Sequence, residues 1–381
     1  MSKSIDEMVA RFNKSGNVIG HKIFNSGHIN NTVLVYVDEN GKCNKYVLQR
    51  INTNVFTRPE EVMENISNVT KYIGRELESR GISSQGRVLN FSKSDNGKYF
   101  TVDSNGGYWR LYDFVDNSIT FDIADNDVLF ETGRAFGEFQ TLLKDYPSHE
   151  LYETIPDFHN TPKRYEKFKQ VLLANPCDRA QYVQPEISQY LALEGVVSQM
   201  QKMLDAGRLP LRVTHNDTKC NNVLFDDKTY KYLCVIDLDT VMPGLAGFDF
   251  GDAVRFATNT CAEDCKDLNA VKVDLDKFKA FAKGFINEVG GSLTKEEIDT
   301  LVLGSITMTT ECGLRFLTDY IDGDNYFKIE YPQQNLDRAR CQLKLAKEMI
   351  IHKNEMEKIV RECVNQSGSK NDNSHEAECE F

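Results

Sequence analysis

The sequence has no C-x-x-C pair, no stripe of basic residues and no apolar run long enough to span a bilayer, and each absence removes a class of function. Ten cysteines are scattered from Cys43 to Cys379, a distribution that points to free thiols in a reducing compartment rather than to a disulfide framework. Cys261 and Cys265 share the segment "CAEDC", but no His or further Cys follows at zinc-ligand spacing, which argues against a metal site there. A net charge of -12 gives nothing with which to release counterions from DNA or RNA, so no nucleic-acid partner is expected. The same acidity could draw in a cationic substrate, although solubility alone accounts for it. The opening "MSKSIDEMVARFNKSG" lacks the apolar core of a signal peptide and places Ile5, Met8, Val9 and Phe12 at the spacing of a helix docked on a core. No membrane partner is expected, and the expected location is cytoplasmic.

What is present divides into two parts, as suits a chain of 381 residues. From Ile19 to Val115 the pattern is mostly strands. Asn40-Gly41 between two β-branched and aromatic runs signals a hairpin, and "RPEEVMENISNVTKYIGRELESRG" reads as one helix, with Pro59 at its start and Gly81 at its end. Three short strands, "GRVLNFS", "GKYFTVD" and "GYWRLYDFV", follow. The periodicity then turns helical, with Leu129, Phe136, Phe139 and Leu143 on one face. It is interrupted by a strand-rich island from Leu211 to Asp239 and resumes from Phe256 to about Val364. The expected organisation is α+β: a β-rich N-terminal lobe over 1–115, a larger helical C-terminal lobe over 116–364, and a polar, disordered tail over 365–381. A cleft between two such lobes is a natural place for a ligand.

The island carries the chemistry. In "RVTHNDTKCNNVLF" a dense polar run precedes an apolar strand, and Asp217 stands five residues before Asn222. A hairpin at "DDKT" leads into "YLCVIDLDT", which returns Asp237 to the same end if the strands pair. Phosphoryl transfer needs such a set: a carboxylate to orient the acceptor hydroxyl and take its proton, and hard oxygen ligands for Mg²⁺, here the Asn222 amide oxygen and the Asp237 carboxylate. Singly, each residue reads as a turn or cap former; the ordered set favours catalysis. Lys219, two residues after Asp217, is either a solvated loop charge or an ammonium that neutralises the transferred phosphoryl group.

"VTHNDTKCNNVLF" followed by "VIDLDTVMPGLAGFDFGDAVRF" resembles the aminoglycoside phosphotransferase and choline kinase superfamily. "SGHINNTVLV", "ECGLRFLTDYIDGDNYF" and "YPQQNLDRARCQLKLAKEM" are similar to the N-acetylhexosamine 1-kinases within it. The resemblance spans all but the tail. It implies a bilobal protein-kinase-like fold that uses ATP and Mg²⁺, with Asp217 as base and Asn222 and Asp237 as metal ligands. "NSGHIN" then corresponds to the short glycine loop, where Gly27 lets the backbone approach ATP or sugar and His28 and Asn30 are candidates for sugar contacts. "YVLQRI" puts Gln49 at the place of the third-strand lysine of kinases, with Arg50 on the opposite face. "LYDFV", which contains Asp113 and Phe114, resembles the hinge whose backbone pairs with adenine.

For the acceptor, Arg315 and Tyr326 in "ECGLRFLTDYIDGDNYF" suit a neutral amino sugar, and the resemblance implies N-acetylglucosamine or N-acetylgalactosamine phosphorylated at the 1-position. Arg315 is equally placed for an i, i+4 ion pair with Glu311. Two other readings stay open: the same fold acting on choline, homoserine or an aminoglycoside, and a nucleotide-binding protein without turnover.

Overall fold

The computed structural model describes residues 2–14, 16–24 and 30–377. The N-terminal region is built on helix α1 (Ser2–Ala10), strands β1 (Asn17–Phe24), β2 (Asn31–Glu39) and β3 (Lys42–Arg50), helix α2 (Pro59–Ser79), and strands β4 (Thr101–Val102) and β5 (Tyr108–Asp113). Its antiparallel sheet has the order β1-β2-β3-β5-β4. Asn40 and Gly41 turn the β2–β3 hairpin with φ of 58° and 83°, the left-handed pair that matches strand twist. Ile5, Met8, Val9 and Phe12 pack on one face of this sheet, against Val33, Val35 and Leu48 among others. On α2, Ile66, Val69, Ile73 and Leu77 join a second core that takes in Phe139, Val213 and Leu238 from the rest of the chain, so this helix ties the sheet to the helical part.

That part follows β6 (Ser118–Ile119) and contains α3 (Asn126–Leu142), α4 (Thr161–Ala174), α5 (Gln184–Val197) and α6 (Gln199–Asp205). The island comes next as β7 (Arg212–Thr214), β8 (Val223–Asp226), β9 (Tyr232–Val235) and β10 (Met242–Gly244). After it run α7 (Ala246–Thr258), α8 (Leu275–Val289), the short α9 (Lys295–Asp299), α10 (Leu301–Asp322), α11 (Gln334–Ile351) and α12 (Lys353–Ala377). β8 and β9 form the expected hairpin, with Val223 opposite Val235, and β6 lies beside it. β7 pairs with β10 instead.

Three expectations are corrected. "GRVLNFS" makes only isolated bridges, Gln85 with Val88 and Phe91 with Tyr112. α7 begins ten residues before Phe256 (256 − 246 = 10); Gly247, Asp249, Gly251 and Asp252 weaken its helix propensity, and packing against α10 overrides them. The expected tail from residue 365 is helix as far as Ala377. Met356, Val360 and Cys363 are buried in the main core, and no proline or glycine pair stops the helix once it is nucleated there.

α7 and α10 approach closely enough to exclude a side chain at their crossing. A Cβ on Gly251 would stand 2.5 Å from the carbonyl carbon and oxygen of Gly304, both backbone atoms that cannot swing away. Gly251→Ala should therefore destabilise the protein by about 1–3 kcal/mol, the usual cost of overpacking, read as a lower urea midpoint with an unchanged m-value; an unshifted midpoint would show that the crossing can open.

Candidate active site

The loop between β7 and β8 is held in place by acids from α7. Asp249 is buried, and its carboxylate accepts the backbone N–H of His215 at 2.9 Å and of Asn216 at 2.8 Å, together with Gln140 Nε2 at 2.8 Å. Asp252 accepts the N–H of Thr218 at 3.1 Å, and the Thr218 hydroxyl donates to Asp249 O. His215 is fully buried, edge-on to Phe136 and Phe139. Its Nδ1 accepts the N–H of Asp217 at 3.3 Å while Nε2 donates to Ile236 O at 2.8 Å, which fixes the neutral tautomer. Further bonds join the loop to the residues after β9: Asn216 Nδ2 to Thr240 O, and the Thr240 hydroxyl to His215 O.

Asp217, Lys219, Asn222 and Asp237 come together as the hairpin geometry requires. Asp217 Oδ2 accepts Asn222 Nδ2 at 2.9 Å and lies 3.1 Å from Lys219 Nζ. Burial pushes the Asp217 carboxyl up, but the Lys219 ammonium beside it and the bond from Asn222 outweigh it and hold the group below the usual carboxylate range. It is ionised at neutral pH and free to accept a proton. Asn222 spends its amide N–H groups on Asp217, leaving its Oδ1 for another partner. Asp237 sits at φ 60°, ψ 53°, a left-handed conformation that a non-glycine residue holds only where its surroundings impose it. Burial, Asp239 and Asp217 together raise its carboxyl to about 6.

Among the described residues no group of three or more His, Cys, Asp or Glu forms a metal cage. Mg²⁺ in phosphoryl transfer does not need one, since it takes one or two protein oxygens and completes its shell with phosphate and water. Asn222 and Asp237 fit that demand, and the mutual repulsion of Asp237, Asp239 and Asp217 is what a divalent cation relieves.

A cavity of about 450 Å³ lies between the sheet and this loop. Val47, Leu89, Phe91 and Tyr112 line one part, and Gln49, Arg110, Lys219, Asn222 and Asp237 another. The expected hinge residues Asp113 and Phe114 line it too. Their backbone N–H groups are already bonded, Asp113 to Asn90 O and Phe114 to Lys45 O, so adenine pairing does not fall to those two donors. Gln49 faces the cavity as expected, but its amide bonds Thr32 Oγ1 and accepts from Arg110. Asn30 is buried with both ends engaged: Nδ2 donates to Asp239 Oδ2 at 2.6 Å, and Oδ1 accepts the N–H of Asn52. It is a cross-link between the sheet and the post-β9 loop rather than a free sugar contact. Gly27 and His28 lie outside the described residues.

Neither Arg315 nor Tyr326 lines that cavity. They stand together on α10 and the loop after it, with Arg315 Nη2 3.5 Å from the Tyr326 hydroxyl and the guanidinium within 5.4–5.7 Å of the Phe158, Tyr326 and Phe327 ring centres. The ion pair with Glu311 does not form, because Glu311 is buried and bonded to His159 Nδ1 and Thr161 Oγ1. Asp319 fixes the Tyr326 loop by accepting the backbone N–H groups of Asn325, Tyr326 and Phe327.

Sequence reasoning missed Asp249, Asp252, Asp239 and Arg110. The two α7 acids had a signal, since "GFDFGD" sets carboxylates among aromatics, where only hydrogen-bonded ones are tolerated. Asp239 and Arg110 form an ion pair with both side chains 3 % exposed, and 129 residues separate them.

Residues 20–276 match the model of the phosphotransferase enzyme family, well over half of the chain, and the chain belongs to that family. Among solved structures it is similar to a microcompartment-associated aminopropanol kinase, at 15% identity and a TM-score of 0.63 over 92% of this chain and 98% of that one. It is similar also to choline kinase from Cryptosporidium parvum Iowa II, at 15% identity and a TM-score of 0.57 over 93% and 97%. A spectinomycin phosphotransferase in complex with ADP and spectinomycin matches at 13% identity and a TM-score of 0.51 over 92% and 97%. The shared fold is the α+β, kinase-like arrangement expected. Among the described residues no helix is long and apolar enough to cross a membrane.

Two measurements follow from the titrating groups. Burial pushes the Cys220 thiol up to about 11, so at pH 8 iodoacetamide should label the exposed Cys43 and Cys177 and leave Cys220 unmodified by peptide mass mapping; rapid labelling of Cys220 would contradict its enclosure. A carboxyl raised in the folded state, as at Asp237, contributes stability at pH values below its unfolded pKa and loses it as pH rises through about 6. In EDTA, Asp237→Asn should therefore raise Tm at pH 7.5 and make little difference near pH 4; equal Tm values at both pH values would refute the crowding of charge.

Proposed function

We propose that this protein transfers the γ-phosphoryl group of ATP, with Mg²⁺, to the anomeric hydroxyl of N-acetylglucosamine or N-acetylgalactosamine. The observation that carries the chemistry is the convergence of Asp217, Lys219, Asn222 and Asp237 at one end of the β8–β9 hairpin, beside a cavity with an apolar and a polar part. Asp217, held ionised, orients the acceptor hydroxyl and takes its proton. Lys219 neutralises charge on the transferring group. Asn222 and Asp237 hold the metal, which when bound offsets the charge of the phosphates.

The sugar reading rests on Arg315 and Tyr326. With Glu311 committed elsewhere and no carboxylate within ion-pair distance of Arg315 among the described residues, its N–H groups are available beside an aromatic rim, the combination that suits the hydroxyls and rings of a neutral sugar. His28 is a further proposed sugar contact, and Gly27 is proposed to let the backbone approach ATP or sugar; Asn30 is committed to Asp239 and Asn52. A second reading, a cationic amino alcohol as acceptor, draws on the similarity to solved structures named as aminopropanol and choline kinases.

ADP release is to be followed with N-acetylglucosamine, N-acetylgalactosamine, glucose, choline, homoserine and kanamycin, and the product located by phosphorus NMR. Turnover confined to the N-acetyl sugars with phosphate on the anomeric carbon is expected. Turnover on choline or homoserine would retain the phosphoryl chemistry and replace the acceptor reading, and silence across the panel would favour a protein that binds nucleotide without turnover. Asp217→Asn should fold normally and lose at least about a hundredfold in kcat, the scale of general-base catalysis. Arg315→Ala should raise the sugar KM and spare the KM for ATP; an unchanged sugar KM would remove Arg315 from the acceptor site.

A further inference from the structure

Kinase-like folds hold the nucleotide's α- and β-phosphates with a lysine on the third strand, fixed by a glutamate from the following helix. Here β3 carries Gln49, and α2 turns the Met63 thioether toward the same place, 3.7 Å from Arg110 Nη1. β3 has Lys42 and Lys45 and α2 has several glutamates, but among the described residues no ion pair joins the two elements, and the buried ion pair beside Gln49 is that of Arg110 with Asp239. Arg110, on β5, is directly opposite Gln49 in register. Its Nε and Nη2 donate to Gln49 Oε1 at 2.9 and 2.6 Å, and its Nη1 donates to Asp239 Oδ1.

Arg110 lines the cavity together with Asn222 and Asp237. Its partner Asp239 stands two residues from Asp237 (239 − 237 = 2). A guanidinium has five N–H groups. Gln49 takes two, Asp239 one and the Met63 sulfur one weakly; the other Nη2 N–H has no protein acceptor among the described residues. A buried cation beside the metal carboxylate, with a donor to spare, is suited to a phosphate oxygen.

We propose that Arg110 is the residue that holds the α- and β-phosphates of the nucleotide, with Gln49 and Asp239 as positioning residues that aim its guanidinium, so that the kinase ion pair is transposed from β3 and α2 to β5 and the loop after β9. Gln49 keeps its place on the third strand but acts through its carbonyl oxygen, as an acceptor that orients Arg110. Asp239 supplies the counter-charge from the same loop as Asp237, so the phosphate cation and the metal carboxylate move as one unit. This proposal rests on the reading of ATP as phosphoryl donor and is independent of the acceptor.

Calorimetric titration of the full chain with ADP and with adenosine tests it, because adenosine reports the base site and ADP adds the phosphates. Arg110→Met should weaken ADP binding by about tenfold or more, the scale of a charge-assisted hydrogen bond, and leave adenosine within about twofold. Adding Gln49→Lys to Arg110→Met should restore most of the ADP affinity by returning a cation to the third strand. Should Arg110→Met not fold, Arg110→Lys serves instead, and the same selective loss of ADP over adenosine is expected because lysine cannot span Gln49 and Asp239 together. Parallel loss of ADP and adenosine would make Arg110 only a clamp between the two regions, and unchanged ADP affinity or no recovery in the double variant would equally overturn the proposal. Wild-type protein that fails to bind ADP would instead overturn the donor reading on which it rests.

Discussion

The arrangement of the site depends on one buried carboxylate. Asp249 gathers two consecutive backbone N–H groups of the β7–β8 loop and the amide of Gln140 from α3, so three segments of chain share one carboxyl group. Burial pushes the Asp249 carboxyl up, and a polar group so deep is tolerated because its oxygens are satisfied; the same satisfaction holds the loop. Without it, Asn216 would have little reason to hold its left-handed φ of 64°, and Asp217 would not be presented beside Asn222. The position of Asp217, the proposed base, is therefore set from beneath, by a residue that does not line the cavity.

α7 can deliver Asp249 and Asp252 to the loop only because it lies tight against α10. Gly247 and Gly251 on one helix and Gly304 on the other bring the backbones within a distance that no side chain permits. α10 in turn carries Glu311 and Arg315. The close crossing thus fixes two things at once, the catalytic loop on one side and the aromatic-ringed arginine on the other. Burial pushes the Cys312 thiol, between them, up to about 12, and this thiol lies in the field of both Arg315 and Asp252.

Much of this was legible in the sequence where the signal is local. The Asn40-Gly41 hairpin, the Pro59 start of α2, the apolar face of α1 and the β8–β9 hairpin that returns Asp237 to Asn222 all follow from turn chemistry or periodicity. What escaped was non-local or ran against propensity. α7 carries glycines and acids that argue against a helix, and only its packing explains it. Asn30 looked like a free polar residue in a loop, and its engagement with Asp239 crosses 209 positions. Gln49 announced a missing lysine but gave no pointer to Arg110, since pairing of β3 with β5 cannot be counted from spacing.

Charge within the cleft is unevenly balanced. Asp217, Asp237 and Asp239 face two cations, Lys219 and Arg110, and the second of these is already paired with Asp239. The excess falls on Asp237, whose carboxyl is pushed up to about 6 by burial and by the two neighbouring acids. A nucleotide would bring several more negative charges to the same place. On the proposed reading, a divalent cation beside Asp237 and Asn222 would offset the negative charge that Lys219 and Arg110 leave unbalanced. Asp237 holds a left-handed backbone and lines the cavity, and in the proposed function its charge is costly there without a cation and useful with one.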